Sequence, residues 1–174
     1  MSRRYLIDGY NLIHQAPQFR GRLNTDFEAA REALIHFVGQ FSSAVRVPCV
    51  LVFDGMGTAA QHQPHQAHMP FLEIVYASQK HSADTVIERM VYKSERRREC
   101  IVVSGDRGIR DLCFAMGSLV MAPVNFLALV HDAQQSVREE ITRQPPNSSI
   151  RRMEDRLDAT QRAHLEALRK KLGD

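Results

Sequence analysis

Four short apolar runs, rich in β-branched residues and separated by amphipathic stretches, constrain the fold of this 174-residue chain more than any other feature. They span residues 5–7, 50–53, 72–76 and 101–103, with a weaker fifth at 118–121. Apolar runs of this length, broken only by Glu73 in the third, are the signature of strands buried on both faces. Between most of them the apolar residues recur with helical period. Phe27, Ala30, Leu34, Phe37, Val38 and Phe41 form one such stripe, with Thr25 and Asp26 as caps. Ser82 heads a second, carrying Val86, Ile87, Met90 and Val91. Ile109, Leu112, Cys113 and Met116 form a third, closed by Gly117, and residues 126–143 support a fourth. Strands alternating with helices require crossover connections, so the expected fold is α/β: three layers around a mainly parallel central sheet.

Pro145-Pro-Asn-Ser-Ser149 reads as a linker. It divides a domain over residues 1–146 from a charged helical extension over 147–174. The extension has only a thin apolar stripe at Met153, Leu157, His164, Leu165 and Leu168. The polar stretch from Gly55 to Pro70, punctuated by Pro64, is expected to be an irregular, mobile loop.

Composition removes several classes. At 44% hydrophobic and 25% charged residues the chain can bury a core without staples. The longest apolar stretch, 119–130, contains Pro123 and Asn125 and is too short to cross a bilayer. Met-Ser-Arg-Arg leads straight into the first strand with no secretory apolar region. Cys49, Cys100 and Cys113 are odd in number and lie in apolar segments, which suggests neither a disulfide framework nor a metal site. A cytoplasmic protein with no membrane association is expected.

In an open parallel sheet, ligands bind beyond the carboxyl ends of the strands. Acids collect there. Asp8 ends the first strand, Asp54 follows the second, Asp106 follows the fourth, and Asp84 lies in the first turn of the helix entered after the third. Two carboxylates ~5 Å apart at an effective dielectric of ~20 repel by roughly 3 kcal/mol, which protons or a divalent cation must offset. Oxygen donors without His or Cys favour Mg²⁺ or Mn²⁺ over Zn²⁺. Such an ion suits hydrolysis of a phosphodiester. Each acid also has a plainer explanation: Asp-Gly is common turn chemistry, and an acid in a helix's first turn is favoured by the dipole.

Ile7-Asp8-Gly9-Tyr10-Asn11-Leu12, Phe53-Asp54-Gly55, the Ser82-Ala83-Asp84-Thr85-Val86-Ile87-Glu88 block and Ser104-Gly105-Asp106-Arg107 together resemble the NYN domain, nearest to its YacP-like branch of bacterial PIN-fold ribonucleases. The resemblance covers roughly residues 3–145. It implies a PIN-like Rossmannoid fold and endoribonuclease activity dependent on Mg²⁺ or Mn²⁺. By position, Asp8, Asp84 and Asp106 match the family's metal-binding acids, and Asn11 the Asn that accompanies the first of them. Asp54 matches an acid common in the family, as a further metal ligand. Ser104 would orient a carboxylate or touch a phosphate. One departure stands out: many NYN domains carry a second acid two residues after the position of Asp106, where this chain has Gly108. Asp111 lies five residues on and is expected to face elsewhere.

Other groups bear on function less directly. His62, His65 and His68 recur every third residue, but the nearby prolines and the lack of a fourth ligand argue for a solvated loop. His14 is expected to be structural or superficial. Glu88, one turn after Asp84, either supports the acids or pairs with Arg89 or Lys93. Basic residues cluster at Arg3-Arg4, at Lys93 through Arg98, and after residue 150, where seven Lys/Arg face five Asp/Glu. Arg107, directly after Asp106, is placed to contact a phosphate.

RNA is the expected partner, with ribosome-bound mRNA among the forms it could take, and a net charge of only +3 predicts salt-sensitive binding. Two alternatives remain open. One is an RNA- or ribosome-binding module whose acidic pocket no longer cuts; the other is a receiver-like phosphotransfer protein, for which no strand ends near the needed lysine. Oligomeric state is left open.

Overall fold

The structure, a computed structural model, describes residues 3–23, 26–55, 61–63 and 69–143. The proposed linker and charged extension, the Thr25 cap, His65 and His68 lie outside the described residues. The chain divides into two units, Met1–Gln135 and Ser136–Asp174, and the fold below is that of the first.

Five strands run parallel: β1 (Arg4–Asp8), β2 (Cys49–Phe53), β4 (Leu72–Tyr76), β5 (Cys100–Val103) and β6 (Leu119–Met121). A short strand, β3 (Gln61–Gln63), pairs antiparallel with β4 and gives the order β3-β4-β2-β1-β5-β6. β3 corrects one expectation, since part of the stretch from Gly55 to Pro70 is ordered as a sheet edge.

β2 and β5 are buried along their whole length, and β1 from Tyr5 to Asp8. Alternation along them separates two cores. Ile7, Leu51, Phe53 and Val103 face α1 (Gly9–Gln15), α2 (Pro17–Leu23), α3 (Phe27–Val45) and the first part of α6 (Pro123–Arg143). Leu6, Val50, Val52 and Val102 face α4 (Ala83–Lys93) and α5 (Arg107–Ala115). The three layers follow from this two-sided burial. Two helices, α1 and α2, stand where no helical period is legible. Among the described residues, no helix is long and apolar enough to cross a membrane.

From β1 the chain first builds outward through β2 and β4, then returns to the other side of β1 as β5. The reversal places a switch point between β1 and β5, where open α/β sheets form their ligand crevice.

Candidate active site

Sheet register assembles this crevice. Ile7 pairs with Val103, so Asp8 and Ser104, the next residues, emerge side by side at the switch point. Asp8 is only 8% exposed. It caps α1, its Oδ1 accepting the Asn11 backbone N–H at 3.1 Å. The Ser104 hydroxyl, fully buried, donates to the same carboxylate and accepts the Asp106 N–H at 3.1 Å. One side chain therefore ties the end of β1 to the start of α5.

The other acids arrive by the same local logic. Asp106 caps α5, with Oδ1 accepting from Ile109 N–H at 3.1 Å. Asp54, beyond the end of β2, accepts the Ala83 N–H at 2.7 Å and so fastens the start of α4 to the sheet. Ser82 caps that helix through the Thr85 N–H, and Asp84 sits in its first turn. Three helix N-termini thus open toward one rim, and their dipoles partly offset the negative charge gathered there.

The offset is incomplete. Burial first, then the Asp84 and Asp54 carboxylates, push Asp8 up to about 6, against the downward pull of the Asn11 N–H and the Ser104 hydroxyl. Asp84 is raised as well, by burial and then by Asp106, Asp54 and Glu88. Asp8 feels Asp84 and Asp54, and Asp84 feels Asp106 and Asp54, which links the four acids in one electrostatic set. The donors are hard oxygens, the kind Mg²⁺ and Mn²⁺ take. Among the described residues, no group of three or more His, Cys, Asp or Glu side chains is arranged to hold a metal ion. The donor set fits such a cation in kind, with Asp54 and Asp106 each already giving one oxygen to a helix N–H.

Asn11 has a role no sequence pattern reveals. Its Oδ1 accepts the Gly105 N–H at 2.7 Å and Gln15 Nε2 at 3.3 Å, joining α1 to the loop before α5. The amide orientation is thereby fixed, leaving Nδ2 as a donor. A Cβ at Gly105 would displace the Gln15 amide and crowd Asn11 Oδ1 at 2.8 Å, disturbing the tether. Gly9 is more tightly constrained: a Cβ would strike the fully buried Phe53 ring. The Asp8-Gly9 pair therefore opens a helix against an aromatic ring and is not a simple turn.

Arg107 opens α5 and is exposed, next to Asp106. Asp111 is exposed further along the same helix. Glu88 acts on Asp84 electrostatically. At Gly108 an added Cβ would stand 3.1 Å from Asp106 Oδ1, so the position without an acid borders the site. The described structure thus gathers Asp8, Asn11, Asp54, Asp84, Ser104 and Asp106 at one rim, with Arg107 beside them. Cys49, Cys100 and Cys113 are free, buried thiols; burial pushes Cys49 up to about 12.

Known proteins share this architecture. The chain is 24% identical over 149 residues to the uncharacterized protein YacP of Bacillus subtilis (strain 168), covering 83% of this chain and 86% of that protein. The crystal structure of Rae1 (YacP) from Bacillus subtilis superposes with a TM-score of 0.67 at 20% identity, over 99% of this chain and 93% of that one. A mutant of Rae1 (YacP) gives 0.67 at 22%, over 95% and 99%. These likenesses establish the PIN-like NYN fold. The family model for the YacP-like NYN domain matches residues 5–170. A match that omits only the chain's ends decides the family: this protein belongs to the YacP-like NYN domain family, whose members are generally ribonuclease-like.

Proposed function

We propose that this protein is a divalent-metal-dependent endoribonuclease that hydrolyses RNA phosphodiester bonds at the rim formed by Asp8, Asp84 and Asp106. One observation carries the reading. A nearly buried carboxylate, Asp8, is held at a sheet switch point, where burial first and then the facing carboxylates raise its pKa to about 6. A fold keeps such an arrangement at a cost in stability, and the cost is explained if a cation offsets it.

Asp8, Asp84 and Asp106 would hold Mg²⁺ or Mn²⁺, with Asp54 as a further ligand. Such an ion polarises a phosphoryl oxygen and acidifies a bound water. The chain supplies the positioning. Ser104 and the Asn11 N–H orient the Asp8 carboxylate. Asn11 Nδ2, with its partner oxygen fully engaged, is a donor for a substrate oxygen. The Arg107 guanidinium suits a phosphate.

Purified protein incubated with end-labelled single-stranded RNA should cut it internally, lose that activity in EDTA and regain it with Mn²⁺. Asp84→Asn should abolish it. A second reading, an RNA- or ribosome-binding module, is favoured by Gly108 and by the absence, among the described residues, of three His, Cys, Asp or Glu side chains arranged to hold a metal. Binding in EDTA with no cleavage at any Mn²⁺ concentration would decide for it.

A further inference from the structure

α4 and α5 both start at the acidic rim, and a furrow between them leads away from it. Its near part, about 300 Å³, is lined by Thr85, Glu88, Arg89, Tyr92, Leu112 and Met116. Thr85 follows Asp84 in the first turn of α4, so the furrow opens one residue along the chain from the acidic rim. Met116 also lines a second hollow of about 630 Å³, walled by the stretch from Ser94 to Glu99 with its three consecutive arginines. The basic segment from Lys93 to Arg98 thus lies at the far end of a path that begins at the acids. Along α4, Asp84 to Tyr92 is about 12 Å at ~1.5 Å per residue, a span of a few nucleotides.

Side-chain chemistry selects the occupant. Tyr92 is 67% exposed, unusual for an aromatic residue on a helix already packed against the sheet. The Arg97 guanidinium lies 5.5 Å from its ring centroid and donates to the Tyr92 carbonyl at 2.9 Å. Arg89 and Arg98 are exposed on either side, while Arg96 leans toward Glu99 at 3.8 Å. An accessible ring backed by a guanidinium and flanked by further cations is how proteins hold single-stranded nucleic acid: bases stack and arginines follow the phosphates.

We infer that single-stranded RNA runs from the acidic rim along the α4/α5 furrow, with a base stacked on Tyr92 and phosphates on Arg89 and Arg98. The inference rests on the ribonuclease reading and adds the path and strandedness of the substrate.

The test measures anisotropy of a labelled single-stranded oligonucleotide and of a matched duplex, in EDTA, with the full-length chain, Tyr92→Ala, Tyr92→Phe and the double variant Arg89→Ala/Arg98→Ala. All three positions are exposed, so the fold should persist. Tyr92→Ala should weaken single-strand binding about tenfold, with Tyr92→Phe restoring it. The double variant should flatten the dependence of log Kd on log salt by about 1–2. Unchanged single-strand binding in both alanine variants, equal losses on duplex, or no RNA binding by the parent chain overturns the inference. Cleavage of the same RNA with Mn²⁺ separates the two ideas. If the parent cuts and the variants bind normally, the furrow is wrong and the nuclease reading survives. If nothing cuts but the variants bind poorly, the reverse holds.

Discussion

Replacing Asp8 with Asn should make the fold more stable at neutral pH while removing function. Asp8 titrates near 6 in the folded chain, against a usual value of 3.8, chiefly because it is buried and secondly because Asp84 and Asp54 face it. The folded state therefore binds more protons than the unfolded state between these values, and stability falls as pH rises through that window. At ~1.4 kcal/mol per pH unit, ionised Asp8 costs the fold about 3 kcal/mol at pH 7. The contributions of the Asn11 N–H and the Ser104 hydroxyl are already inside that net figure. An Asn side chain can still accept from Asn11 N–H and keep the α1 cap. Urea denaturation of both proteins should show Asp8→Asn more stable at pH 7 by up to about 3 kcal/mol, which at ~2–4 °C per kcal/mol is up to about 10 °C in Tm. The advantage should shrink on acidification and vanish below about pH 3, where the carboxyl is protonated in both states. Added Mn²⁺ should stabilise the parent and leave the variant unchanged, narrowing the gap. A variant less stable than the parent at pH 7, or a gap independent of pH, would refute the reasoning.

Three further outcomes follow from the tethers around the rim. Asn11→Ala leaves the Gly105 N–H without its 2.7 Å acceptor and should cost about 1–3 kcal/mol by urea denaturation, with a larger loss in cleavage rate than in RNA affinity. Gly9→Ala drives a methyl into the Phe53 ring and should cost about 1–3 kcal/mol, read as a lowered Tm. Ser104→Ala removes a donor that holds Asp8 ionised, so the Asp8 carboxyl should titrate higher still, visible by carboxyl ¹³C NMR.

Much of this architecture is legible in the sequence because its strands are buried on both faces. Val50–Phe53 and Ile101–Val103 have no polar face to disguise them, and a parallel sheet then dictates which residues share its rim. Asp8, Asp54, Asp84 and Asp106 are found by asking where each strand stops. What escapes is set by tertiary contacts. α1 begins Gly-Tyr-Asn, a poor helical start, and forms because Asp8 caps it and Leu12 and Ile13 reach the core. β3 is Gln-His-Gln, paired with β4 at the sheet edge, so no apolar alternation announces it. The Asn11–Gly105 bond spans 94 residues, and Asp54 reaches Ala83 across 29. No local pattern encodes either, although the glycines at 9, 55 and 105 mark where such close approaches occur. At Gly55 an added Cβ would run into the Ala77 carbonyl. The plain turn reading of Asp-Gly accounts for none of these contacts.

On the proposed function, the acids at the β1/β5 switch point hold a divalent cation. A crystal soaked in Mn²⁺ and measured for anomalous scattering tests it directly. A peak bound by Asp8 and Asp84, with Asp106 in reach, is expected, and it should be absent from crystals of Asp8→Asn. No peak at this rim in crystals whose dissolved protein cuts RNA with Mn²⁺, or a peak unchanged by Asp8→Asn, would contradict it.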